Sequence, residues 1–149
     1  MIVVPSKVWK GKGMKITSAL LAAQAMARIT NLSPDDVLLA LQNGKGVVVD
    51  IREKDEVTET GSIPGAIHIP RGVLEFRVDP GSPSYRADLT PELSMILVCD
   101  DGQRSALATE TLKNLGFRNV AHLSGGFRAW VRQGLPVSDA IGDSEPKRR

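Results

Sequence analysis

A chain of 149 residues, 42% hydrophobic, 24% charged and 4% aromatic, has the length and balance of one globular domain, not of a disordered tail or a fibrous repeat. Its 19 basic and 17 acidic residues leave a net charge of +2, which directs no field at nucleic acid or at a membrane surface. A single cysteine excludes an internal disulfide and leaves too few thiolates for a zinc site built on cysteine.

Residues 1–16, with Gly11 and Gly13 among lysines, read as a flexible lead-in, and Met14 is a second candidate start. The stretch Met14 to Ala25 imitates a secretory signal, with a lysine, a short apolar run and Ala-x-Ala, but the apolar run is only five residues, Ala19 to Ala23. Because the pattern runs on through Met26 and Ile29, a helix over 17–29 and a cytoplasmic protein are the expectation. Ser33-Pro34-Asp35-Asp36 signals the start of a second helix ending near Asn43-Gly44.

Gly46 to Ile51 is a β-branched run that reads as a buried parallel strand, and Ala66 to Pro70 as a short strand entered through the turn Gly61 to Ala66. Asp79 to Asp88 carries Pro80, Gly81 and Pro83 and reads as a surface loop. Met95 to Val98 predicts another buried strand, Ser105 to Leu115 a helix closed by Gly116, and Asn119 to Leu123 a further strand. A last helix opens at Gly125-Gly126 and ends near Gly134, leaving one domain over 17–137 and a polar tail over 138–149 that is expected to be mobile. Strands alternating with helices predict a mostly parallel sheet covered on both faces.

Cys99 leaves the carboxyl end of a strand and feeds a helix, the position where open α/β sheets gather ligands among converging amides. The positive helix end favours a thiolate there; Gly102 permits a tight turn, Arg104 can project a cation toward anionic oxygen, and Ser105 is placed to cap the helix. A lone cysteine is more often a small buried hydrophobe, so the surrounding pattern has to decide. That pattern is Cys99-Asp100-Asp101-Gly102-Gln103-Arg104-Ser105, or C-x-x-G-x-R-S, preceded by Asp50-Ile51-Arg52-Glu53-Lys54-Asp55-Glu56 and Gly61-Ser62-Ile63-Pro64-Gly65-Ala66 and followed by Leu123-Ser124-Gly125-Gly126 with Trp130.

These four stretches, in order over 33–137, resemble the motifs of the rhodanese-like family. The resemblance implies a five-stranded parallel sheet and a loop from Cys99 to Arg104, with Asp100, Asp101, Gly102, Gln103 and Ser105 around it, whose amides cradle a transferred sulfur atom. It implies sulfur transfer from thiosulfate or a persulfide through a Cys99 persulfide to a thiol or cyanide, with a sulfur-relay protein as a further partner and no cofactor or metal. Ser62 stands where the family's motif usually has histidine. Asp50 and Arg52 are expected as a charged pair, bracing the loop or merely closing a strand end, and Arg71, Phe76 and Arg77 as a pocket rim. His68 and His122 read as packed strand residues, and Trp130 as an anchor of the last helix.

Two competing functions share the loop: a persulfide carrier or partner-binding module without turnover, and a phosphatase-like enzyme. Related phosphatases place five residues between cysteine and arginine, whereas four stand here, a smaller cradle suited to sulfur. Asp100 and Asp101 oppose an anionic donor unless they point to solvent.

Overall fold

The computed structural model describes Gly13 and residues 15–139. The expected lead-in, with Trp9 and Met14, lies outside the described residues apart from its last few positions, and so does the expected tail from residue 140 onward. Five strands, β1 (Thr30–Leu32), β2 (Val47–Asp50), β3 (Ile67–His68), β4 (Met95–Val98) and β5 (Val120–Leu123), form one all-parallel sheet in the order β1-β5-β4-β2-β3. Around it lie six helices, α1 (Ser18–Met26), α2 (Pro34–Gln42), α3 (Lys54–Thr60), α4 (Leu74–Val78, entered through a 3-10 turn at Arg71–Val73), α5 (Gln103–Leu115) and α6 (Gly126–Arg132). The longest helix has 13 residues, and none among the described residues is long and apolar enough to cross a membrane.

Local chemistry accounts for the element ends. The Thr17 side chain accepts the Leu20 N–H to start α1, and Ser33 and Asp36 exchange backbone hydrogen bonds in a capping box with Pro34 at the first helical position of α2. Gly116 closes α5 in the left-handed region. The central strands β4 and β5 are buried throughout, as expected of parallel strands covered on both faces. One face packs Val49, Leu97, Leu74, Val78, Ala108 and Leu112 into a core under α4 and α5; the other packs Val37, Val48, Ile96, Val98, Phe127 and Trp130 under α2 and α6. Trp130 is buried, as expected, and its indole N–H donates to the Pro136 carbonyl at 2.7 Å.

Three elements differ from the sequence expectation. The first helix stops at Met26, and the residues after it become edge strand β1, whose three residues are too few to show a period. α3 is Lys-Asp-Glu-Val-Thr-Glu-Thr, with Val57 its one buried apolar residue, so it carries no apolar stripe. The segment after Pro70 is helical, held by Leu74 and Val78 in the core.

Candidate active site

β4 is the middle strand of the sheet, and Cys99 follows it directly. Its sulfur is buried at 0% exposure over the start of α5, where it accepts the Gly102 N–H at 3.1 Å and the Ser105 N–H at 3.3 Å. Gly102, the residue before α5, has φ +99 and no side chain to cap the helix; the sulfur takes over that task by receiving a first-turn amide. Ser105, expected at the cap, is instead the third residue of α5, because the chain becomes helical at Gln103. Its hydroxyl points inward and receives the Cys99 thiol at 3.4 Å.

The loop is held from above by α6. Phe127 N–H donates to the Cys99 carbonyl at 2.8 Å and Arg128 N–H to the Asp100 carbonyl at 3.0 Å. This approach requires Gly126: a Cβ there would stand 2.4 Å from the Asp100 carbonyl oxygen, and its φ is +69. The paired glycines after β5 are therefore the seat on which the Cys99 loop rests.

The two acids divide. Asp100 pairs with Arg128 Nε at 2.7 Å, and exposed Asp101 accepts the Gln103 N–H at 3.0 Å, so one loop amide is already occupied by a carboxylate. Arg104, expected to face an anion, gives both terminal nitrogens to Glu56 of α3, at 2.9 and 2.7 Å. This two-pronged bond holds the Glu56 carboxyl down to about 2 and raises the guanidinium further above its ordinary value.

Asp50 and Arg52 do form the expected pair, with side chains 1% exposed and 2.8 Å apart. Arg52 also donates to Thr60 Oγ1 and the Gly61 carbonyl, each at 2.8 Å, and stacks 4.2 Å from the centre of the Phe127 ring. Ser62 supplies a donor at the position noted above, its hydroxyl 2.6 Å from Asp50 Oδ2. The pair thus braces the end of α3, the turn and the start of α6, and reaches the Cys99 loop through Phe127.

The expected rim is not brought together. Arg71 lies at the near edge, its N–H on the Ile51 carbonyl. Phe76 faces a cavity shared with Pro80, Pro91, Leu115 and Phe117, at the far end of α5 from Cys99. The carbonyl of Arg77 receives the Arg86 N–H, and its charge helps lower the Asp88 carboxyl, chiefly lowered by Arg86 itself.

Two residues stand behind Ser105, one expected as a packed strand residue and one, Asn31, that sequence reasoning passed over. His122 of β5, buried at 0% exposure, has Nδ1 2.9 Å from Ser105 Oγ and Nε2 2.7 Å from Asn31 Oδ1. Burial lowers its imidazole to about 4. Asn31 is its register partner on β1, a neighbour invisible to sequence because β1 itself was not legible. His68, by contrast, is a packed strand residue whose Nε2 lies 2.7 Å from the Arg52 carbonyl.

Comparison with known proteins bears on the family and the fold. A sulfurtransferase of Allochromatium vinosum is 31% identical over 91 residues, covering 61% of this chain and 77% of that protein. A putative sulfur carrier protein of Bacillus subtilis, YrkF, is 34% identical over 84 residues, which cover 56% of this chain but only 40% of the carrier. Among solved structures, a Rhodopseudomonas palustris protein of unknown function, described as a possible tyrosine phosphatase, superposes with a TM-score of 0.80 at 33% identity, covering 85% of this chain and 98% of that one. The human single-domain sulfurtransferase TSTD1 superposes with a TM-score of 0.62 at 25% identity, covering 69% and 96%. With the rhodanese-like domain family matching residues 33–133, around a cysteine loop seated on two glycines, this chain belongs to that family.

Proposed function

We propose that the chain is a rhodanese-type sulfurtransferase whose unit of function runs over 17–137. The observation that supports this reading is a lone thiol sulfur at the start of α5 receiving two backbone N–H groups. Cys99 thiolate attacks the outer sulfur of thiosulfate or of a persulfide; the new S–S bond leaves Cys99–S–S⁻, and sulfite or the donor thiolate departs with the electron pair of the broken bond. An acceptor thiolate or cyanide then takes the outer sulfur and regenerates the Cys99 thiolate. Because the resting sulfur is fully buried, loading requires a local opening over Cys99. No cofactor takes part in the reading, and a reducing cytoplasm keeps the thiol available. A sulfur-relay protein is a suitable donor, since Asp101 remains an exposed negative charge against a small dianion.

Mass spectrometry of the intact protein after incubation with thiosulfate, and separately with a small persulfide, tests the reading. The expected result is a gain of one sulfur, removed by reductant and absent in Cys99→Ser, which folds but cannot hold a persulfide. Loading from the persulfide alone marks a carrier fed by a partner. Hydrolysis of an aryl phosphate without sulfur loading would replace sulfur transfer by phosphatase chemistry. Against that outcome stand the four-residue spacing and the commitment of both terminal nitrogens of Arg104 to Glu56.

A further inference from the structure

Cys99, Ser105, His122 and Asn31 form one hydrogen-bonded line through the core, and counting its protons assigns it a role. The Asn31 amide is fixed, because its Nδ2 donates to the carbonyls of Met26 at 2.9 Å and Ile29 at 3.2 Å, so Oδ1 faces the ring. An acceptor at 2.7 Å requires His122 Nε2 to carry hydrogen, which leaves Nδ1 of the neutral ring as an acceptor. Ser105 therefore donates to Nδ1 at 2.9 Å. Its other partner, the Gly102 carbonyl, is farther at 3.2 Å and already receives the Ala106 N–H. The thiol hydrogen of Cys99 fills the last gap, toward Ser105 Oγ.

Between Nδ1 and Sγ there are thus two gaps and, in the thiol form, two protons. If ionisation of Cys99 sent one proton to solvent, a single hydrogen would serve both gaps, and two lone pairs would face each other in a buried site. If the proton is kept, every gap stays filled: Ser105 O–H turns to the thiolate and Nδ1–H donates to Ser105.

We propose that His122, oriented by Asn31, is a positioning residue that receives the Cys99 proton through Ser105, so that the nucleophile forms without proton release from the core. The S–H bond breaks as Ser105 Oγ takes that proton, and the Ser105 hydroxyl proton passes to Nδ1; no electron is gained or lost, and the unit stays neutral. The imidazolium then balances the charge of Cys99–S–S⁻ during the transfer read above, on which this role rests. The polar atoms against the ring belong to Ser105 and Asn31. Charged side chains on the packed elements are matched in pairs, Glu110 of α5 with Arg28, Arg104 with Glu56, and Asp100 with Arg128. Burial keeps the ring neutral while Cys99 is a thiol, its imidazole being lowered to about 4; the negative charge of the new thiolate at the other end of the line is what favours the proton on Nδ1.

His122→Asn separates this role from packing, because its amide oxygen stands near the place of Nδ1 and still accepts from Ser105 but cannot take a proton. The test is the rate of Cys99 alkylation by iodoacetamide against pH, which reads the thiolate without any sulfur donor. The expected result is a fall of about tenfold at mildly acidic pH with an unchanged rate in strong alkali. If circular dichroism shows His122→Asn unfolded, Asn31→Leu serves, with a several-fold fall in the same range. An alkylation profile identical to that of the native chain in a folded variant overturns the relay. Failure of every donor to load Cys99, with the alkylation profile shifted as stated, would instead count against sulfur transfer alone.

Discussion

Arg104 and Glu56 show how a residue's partner, more than its type, sets its part. Each side chain is about a third exposed, at 37% and 33%, so the pair contributes about 1 kcal/mol or less. Its pH dependence has a fixed sign: the Glu56 carboxyl titrates at about 2 in the folded chain instead of 4.5, so its contribution is whole above 4.5 and is lost as pH falls toward 2. His122 acts over a different window. Its ring is lowered from 6.5 to about 4, so the unfolded chain binds the extra proton first and stability falls between those values. Denaturant midpoints measured against pH should lose the upper step in His122→Asn and the lower one in Glu56→Gln. For donor choice the telling position is Asp101, whose carboxylate is exposed and occupies the Gln103 amide, whereas Asp100 is already neutralised by Arg128. Asp101→Ser should lower the KM for thiosulfate several-fold and Asp100→Ser much less; equal effects in steady-state assays would show that distance from the sulfur, not pairing, governs the repulsion.

Elements with strong local signals were legible: the capped α2, the β-branched β2 and the apolar β4 stand within a residue or so of their expected bounds. α3 and β1 were not, since one has a single buried apolar residue and the other is a short edge strand; their presence is imposed by what they pack against. The Cys99 loop was legible because spacing along the chain carried it. The Asn31 and His122 neighbours were not, because they meet only through the pairing of β1 with β5. The glycines after β5 make a sharp test of how elements lock the loop. Gly126→Ala meets backbone at 2.4 Å, whereas Gly65→Ala, also at positive φ, meets nothing within 4 Å. Thermal melts should show Gly65→Ala losing about 1 kcal/mol, and Gly126→Ala losing at least about twice that, together with sulfur loading.

Across the whole molecule the two faces of the sheet hold separate apolar cores, and the buried Asp50 and Arg52 pair sits between the helices that cover the active end. Asp50→Asn strands a buried guanidinium and should cost about 3 kcal/mol in urea unfolding, with the damage spreading to Ser62 and through it to Ser138, which pairs with Ser62 in an antiparallel bridge. A loss under about 1 kcal/mol would mean that the Thr60, Gly61 and Phe127 contacts of Arg52 suffice by themselves.

The sulfur that closes the start of α5 is also the one thiol of the chain, able to climb the oxidation ladder once it is exposed. Sulfinic or sulfonic acid at Cys99 would be larger than the sulfur that accepts the Gly102 and Ser105 amides, so irreversible oxidation would fray the first turn of a helix as well as end catalysis. Amide exchange at residues 103–106 would quicken, and the spent protein would be distinguished from the working one by the looseness of its backbone, a difference that a protease can read.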